Sequence, residues 1–232
     1  ERKVIFLGIG SVVQTIVGGL GEGAIYALLG LSFVLIFGKL RICSVLHGDL
    51  AVLGGYIVFW AFTLWKVDPF LSIIYVPPLF SVGGYLVQKY LLKPFMALEI
   101  WEGRYQGQVM LTMGLSFAII GGEYIFWTGT YRRLVTNYRY IVFSLRGITF
   151  PFVHLISVSS VFVIYFLIIY LLRKTKIGIS LRACSDNRTR AMLAGVNYHK
   201  ICSLAFGISA AISVIAGIFI VLTHNIAPSL GL

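Results

Sequence analysis

Apolar residues run along this chain in long unbroken blocks instead of alternating with polar ones. Six blocks, at about 11–37, 48–65, 70–88, 107–129, 152–172 and 201–223, are separated by short polar connections. Crossing the hydrocarbon of a bilayer takes about 20 apolar residues at about 1.5 Å rise each, so every block reads as a spanning helix. The pattern predicts an all-α, polytopic membrane helix bundle of about six spans, a single transmembrane domain over residues 1–232. The first block exceeds one crossing and is interrupted by Gly18, Gly19, Gly21, Glu22 and Gly23. It is compatible with one tilted helix or with two half-helices meeting at that cluster, because broken backbone at membrane depth needs protein or a water-lined cavity around it. Pro77 and Pro78 are expected to bend the third span. Gly54 and Gly55, Gly83 and Gly84, Gly114, Gly121 and Gly122, Gly207 and Gly217, with Gly19 and Gly23 at GxxxG spacing, predict closely approaching helices.

Composition agrees. Hydrophobic residues make up 59% of the chain, charged ones 12%, and the mean hydropathy is +0.93; a soluble domain carries about 25% charged residues. The 19 lysines and arginines lie in the connections. Placing 173–200 in the cytoplasm puts twelve of them inside, including Arg173, Lys174, Lys176, Arg182, Arg188, Arg190 and Lys200, and seven outside. That orientation sets the N-terminus outside, against which Arg2 and Lys3 argue. The net charge of +11 is spread over loops with no recognition module, which points to sorting and anionic lipid and away from nucleic acid. A secretory signal peptide is a poor reading of the start, since the apolar stretch runs far past an h-region. Cys43, Cys184 and Cys202 are odd in number, fall near the proposed cytoplasmic side and match no zinc spacing, so three free thiols and no metal site are expected.

Two connections are longer than a bundle needs. The outer one, about 130–151, carries Tyr131, Arg132, Arg133, Tyr138, Arg139, Tyr140 and Arg146, the mixture that lies at membrane interfaces or docks an extracytoplasmic partner. The inner one, about 173–200, reads RKTKIGISLRACSDNRTRAMLAGVNYHK. From Ile179 to Ala194 it lacks proline and glycine, Leu181, Cys184 and Met192 can share an apolar face, and Gly195 makes a stop. The spacing predicts a short amphipathic helix parallel to the membrane, resting on lipid or docked into another protein.

The residues Arg182-Ala183-Cys184-Ser185-Asp186-Asn187-Arg188, with Ala191, Leu193, Gly195 and Val196, resemble the cytoplasmic loop of the branched-chain amino acid permease family of ABC importers. Gly23-Ala24-Ile25-Tyr26-Ala27-Leu28, Leu35-Ile36-Phe37-Gly38, Leu40-Arg41-Ile42 and His47-Gly48-Asp49-Leu50 through Leu53-Gly54-Gly55-Tyr56 are similar to that family's first two spans, and Leu111 to Ser116 to a later one. The resemblance implies that the inner loop couples to a cytoplasmic ATPase through Arg182, Ala183, Asp186, Arg188, Ala191 and Gly195. It also implies two permease subunits, two ATPases carrying ATP and Mg, an extracytoplasmic binding protein, and a prokaryotic inner (plasma) membrane. Thr189-Arg190 and Ser44-Val45-Leu46 depart from the family's usual residues, which opens ATPase contact and substrate preference, amides and urea included. The chain ends at Pro228-Ser229-Leu230-Gly231-Leu232, where the family continues, so a C-terminally truncated subunit is expected.

No GxxxxGK[ST], GxSxG or HExxH stretch occurs, so neither ATP hydrolysis nor a cofactor is expected on this chain. Ionisable groups at membrane depth are functional candidates. The candidate pathway or gate therefore comprises Glu22 and Gly23 in the glycine cluster, His47 and Asp49 at the cytoplasmic start of the second span, Thr112 and Ser116, and Glu123. Each has a plainer reading: hydrogen-bonded packing for Glu22, N-terminal dipole complementarity for Asp49 and a loop carbonyl for His47, back-bonding for Thr112 and Ser116, and solvated anchoring near the outer interface for Glu123. His154 and His224 are expected at the outer interface. An ATP-independent channel or secondary transporter for small polar solutes is the competing class; it would show a second broken helix as an inverted repeat, and no second copy is evident.

Overall fold

A computed structural model of the chain describes residues 2–40, 44–96, 101–134, 136, 142–145 and 148–228. Nine α-helices follow one another among them: α1 (Arg2–Leu40), α2 (His47–Trp65), α3 (Ser72–Val87), α4 (Lys93–Met96), α5 (Trp101–Trp127), α6 (Phe152–Lys174), α7 (Lys176–Asp186), α8 (Arg188–Leu193) and α9 (Tyr198–Thr223). Cys43, Arg41, Ile42, Tyr138, Arg139, Tyr140, Arg146 and Leu230 to Leu232 lie outside the described residues.

Five of these helices, α1, α2, α5, α6 and α9, are long and apolar enough to cross a membrane. The first block is one continuous helix of 39 residues, not two half-helices; at 1.5 Å per residue it is about 58 Å long, well beyond the hydrocarbon thickness. The third block departs from a plain span. Its α-helix holds only 16 residues, contains Pro77 and Pro78, and passes into a π-helical turn over Gln88–Leu92 before α4. Backbone angles stay right-handed through both junctions, so Ser72–Met96 forms one α–π–α rod.

α9 is the axis of the bundle. Eighteen of its 26 residues are buried, and α1, α2 and α3 pack around it. Small residues make this possible, since helices in lipid associate through contact and not through a hydrophobic drive. A Cβ at Gly217 would collide with the Ala51 carbonyl, and one at Gly207 would lie 2.5 Å from the Ser81 carbonyl oxygen. Other glycines of the predicted packing set, Gly19, Gly23, Gly83, Gly114, Gly121 and Gly122, face open space. α6, by contrast, exposes Phe162, Val163, Phe166, Leu167 and Tyr170, the surface a lipid-facing helix presents.

Two ends of the bundle are distinct. At one, Val142–Leu145 (β1) and Ile148–Pro151 (β2) form an antiparallel hairpin, a small exception to the all-α expectation. Gln14 holds the backbone of Thr149 through both atoms of its amide, donating at 2.9 Å and accepting at 2.8 Å. Arg132 exchanges backbone hydrogen bonds with Ile226 at 2.9 and 2.8 Å, and its guanidinium lies 5.3 Å from the centre of the Trp60 ring. The outer connection is thus tied down by Arg132, while Tyr131 and Arg133 remain exposed. The other end carries the polar segment from Thr175 to Tyr198 and is called here the basic end.

Candidate functional site

Three sets of polar residues stand out against this apolar frame. The first lies at mid-depth. His47 and Asp49 open α2, but that opening does not sit at the level where α9 begins. His47 Nε2 shares a 2.5 Å hydrogen bond with Ser209 Oγ, the Ser213 hydroxyl donates to the His47 carbonyl, and Ser116 Oγ donates to Asp49 Oδ2. Ser209 and Ser213 flank the midpoint of α9, and Ser116 is close to that of α5. α2 therefore starts halfway across the bundle, correcting the placement of His47 and Asp49 at the cytoplasmic edge. All five side chains are buried, where each bond avoids the cost of an unpaired polar group in low dielectric. No side chain caps α2, and the Asp49 carboxyl lies in its first turn, at the positive end of the helix dipole. Ser44 Oγ and Asp49 Oδ1 have no hydrogen-bond partner among the described residues.

Thr112 donates to the carbonyls of Gln108 and Val109 at 2.9 and 3.1 Å, the back-bonding expected of it. Ser116 does not, because Asp49 is a better acceptor within reach. Glu123 lies in the last turns of α5, as expected, yet it is 1% exposed and neither carboxyl oxygen has a partner among the described residues. Solvated anchoring is therefore wrong for Glu123: Trp127 stacks on Tyr56 at 4.9 Å, and this end of α5 packs on α2.

The second set is at the hairpin end. Glu22 projects between two imidazoles, Oε1 lying 3.3 Å from His154 Nε2 and Oε2 lying 2.6 Å from His224 Nε2. The cluster joins α1, the start of α6 and the residue that ends α9. His154 and His224 were expected only at an interface; their common partner lies 132 and 202 residues away in sequence. The neighbouring Gly21 leaves the space that the His154 ring fills. Gly23 is exposed beside the cluster and touches nothing that a side chain would displace.

The third set forms the basic end. The inner segment is two helices, not one: Asn187 is extended (φ −155°, ψ 108°), ends α7 and caps α8, its Oδ1 accepting from the Arg190 N–H at 2.9 Å. Thr175 caps α7 in the same way through the Gly178 N–H. A Cβ on Gly178 would collide with the backbone of Leu171 and Leu172, so this glycine lets α7 fold tightly under the end of α6. Leu181, Cys184 and Ala191 form the buried face. Met192 does not join them and is 42% exposed, because the break at Asn187 reorients α8. Gly195 has φ +85° and ends the element, as the sequence predicts.

The residues that the resemblance assigns to coupling divide accordingly. Arg182 and Asp186 are exposed, Ala183 is half-buried, Ala191 is buried, and Arg188 stacks over Tyr198 with its guanidinium 4.3 Å from the ring centre. Ile179 and Leu193 are 54% and 84% exposed. Cys184 and Cys202 are free and buried; burial pushes the Cys184 thiol above its ordinary range, partly opposed by the Arg188 charge. Among the described residues no group of His, Cys, Asp or Glu has the makings of a metal site.

A multi-pass helical bundle with polar groups buried at mid-depth, and a capped, charged element at one end, is the architecture of a membrane transport permease. Residues 15–232 match the family model for the branched-chain amino acid transport system permease component, and the chain belongs to that family. It is 21% identical to the high-affinity branched-chain amino acid transport system permease protein BraD of Pseudomonas aeruginosa, over 94% of this chain and 74% of that one. It is 28% identical to a probable branched-chain amino acid transport permease protein LivH of Methanocaldococcus jannaschii, over 90% and 68%. To LivH of Escherichia coli K12 it is 20% identical, over 90% and 70%. No solved structure matches it.

Proposed function

We propose that this chain is the transmembrane permease subunit of an ABC importer for branched-chain or related amino acids in a prokaryotic inner membrane. In this reading it is one permease domain that pairs with a second permease subunit, two cytoplasmic ATPases that bind ATP and Mg, and a binding protein on the hairpin side. The observation that carries the reading is the basic end. α7 and α8 are held rigidly by Gly178, two side-chain caps and the Arg188–Tyr198 contact, yet present Ile179, Arg182, Asp186 and Leu193 outward. A surface that is fixed from below and offers both apolar and charged groups fits docking into a protein groove better than passive contact with lipid.

ATP-driven closure of the ATPases would push α7 and α8, and with them the bundle, from one access state to the other. Glu22, Gly23, His47, Asp49, Thr112, Ser116 and Glu123 are the proposed pathway and gate positions. The test is reconstitution of the full complex in proteoliposomes, with ATP inside or outside and radiolabelled leucine, isoleucine or valine supplied with the binding protein. ATP-dependent uptake is expected. Uptake that persists without ATP would identify the channel or secondary-transporter class instead.

A further inference from the structure

The two helices that flank α7 and α8 meet again at the opposite end of the bundle. α6 ends at Lys174 and passes through Thr175 into α7, and α8 leads on to α9 at Tyr198. At their far ends, His154 in the first turn of α6 and His224 just past α9 both reach Glu22 of α1, at 3.3 and 2.6 Å. From α6 to α9 the chain therefore forms a closed loop, covalent at the basic end and held by one carboxylate at the hairpin end.

This closure differs from ordinary packing in being wet. The side chains of Glu22, His154 and His224 are 32%, 18% and 48% exposed, so water can take over their hydrogen bonds and the contact breaks cheaply. The mid-depth pairs, Asp49 with Ser116 and His47 with Ser209, are buried and have no such substitute. The closure is also specifically shaped: a Cβ at Gly21 would lie 2.5 Å from the His154 ring, so the glycine beside Glu22 is what admits the imidazole.

α6 is the less tightly held of the two helices. Of its 23 residues only Val153, Ser157 and Ile168 are buried, whereas α9 is buried along most of its length. Its junction with α7 is close, through Gly178 against Leu171 and Leu172 and through the Thr175 cap. A push on α7 and α8 thus reaches His154 through about 30 Å of unbroken helix, and reaches His224 through a helix gripped by its neighbours. The two imidazoles move by different amounts, and Glu22 cannot follow both. Beside it, Glu22 and His224 line a cavity of about 350 Å³ together with Ile25 and Val52, which are 1% and 3% exposed.

We infer that Glu22, His154 and His224 form a latch that closes the hairpin end of this bundle and is released by displacement of α7 and α8. The inference rests on the proposed import function and adds which contact yields, which helices pull on it and which residues are uncovered.

The experiment places a reporter thiol, Val52→Cys, in the full complex in lipid nanodiscs, where a water-soluble maleimide reaches both faces, and reads labelling site by site by mass spectrometry. With the latch intact and no nucleotide, position 52 is expected to label slowly. Glu22→Ala, and separately Gly21→Ala, which displaces the His154 ring without removing a polar group, should each raise that rate at least threefold. Buried Cys202, near the basic end of α9, should not change. A non-hydrolysable ATP analogue should raise the rate at position 52 at least threefold while Glu22 is present and have no further effect in Glu22→Ala. Unchanged labelling at position 52 in both variants overturns the latch, and so does a rise shared by Cys202, which marks general loosening. Should Glu22→Ala fail to assemble, Gly21→Ala decides. No response to nucleotide, in a complex that takes up amino acid with ATP, overturns the link to α7 and α8. A complex without ATP-dependent uptake overturns the import reading instead, and the latch is then judged by the two variants alone.

Discussion

Asp49, in the first turn of α2, accepts a hydrogen bond from Ser116, near the middle of α5, across 67 residues of sequence. Two helices that run in the same direction are thereby pinned where the bundle is driest. The pairing also sets the depth at which α2 begins, since neighbouring His47 is held to Ser209 and Ser213 of α9.

Removing one partner of that pair leaves the other buried and unpaired, at a cost of about 1–3 kcal/mol. Ser116→Ala is expected to lower the detergent-solubilised subunit's stability by about that much in thermal or denaturant unfolding. A double-mutant cycle with Asp49→Ala should show coupling of about 0.5–3 kcal/mol. Additive effects would mean that the two groups do not interact.

Gly217→Ala should be costly. The added methyl meets the Ala51 backbone, which cannot rotate away as a side chain can, and such overpacking costs about 1–3 kcal/mol. Gly121→Ala is the control, because its methyl enters open space. Size-exclusion thermostability should separate the two, with Gly217→Ala melting lower and Gly121→Ala unchanged.

At the basic end, Arg188→Gln removes a contact worth about 0.5–1 kcal/mol at a partly exposed site. Tyr198→Phe keeps the ring and should leave uptake near that of the unmodified complex, while Tyr198→Leu should behave like Arg188→Gln. Equal loss in Tyr198→Phe and Tyr198→Leu would assign the effect to the hydroxyl and not to the ring face.

Thiol chemistry at the same end follows from burial. The thiolate is the reactive form, and burial raises the pKa of Cys184, which also has little exposed surface. Its alkylation by iodoacetamide should therefore reach half its limiting rate at a higher pH than an exposed thiol does. A Leu193→Cys variant, at an 84% exposed position, should label quickly at neutral pH and crosslink to a docked ATPase, whereas Cys184 should not. Rapid labelling of Cys184 at pH 7 would contradict its position on the buried face of α7.

Spans and the basic end were legible because both are written in local composition: long charge-free blocks, and a run of basic residues closed by Gly195. What escaped depends on particular neighbours. Gly178 reads as a helix breaker, and its actual role is visible only once Leu171 and Leu172 are seen above it. Asn187 had a readable capping signal, with its partner Arg190 three residues on, but the absence of proline and glycine favoured a single helix. The union of Glu22 with His154 and His224, and the depth of His47, have no local signature at all. They follow from how α9 packs, and lone carboxylates or imidazoles near span ends are ordinarily read as interfacial.

α9 touches both ends. Its first residue, Tyr198, carries Arg188 of the basic end, and the residue just beyond its last turn, His224, holds Glu22 at the hairpin end. Its 26 residues form an unbroken helix, about 39 Å long at 1.5 Å per residue. In the proposed importer it would serve as a pushrod: a force applied beneath Tyr198 would reach His224 with no loop between them to absorb it, so the stroke of an engine on one side of the membrane would be felt directly by the latch on the other.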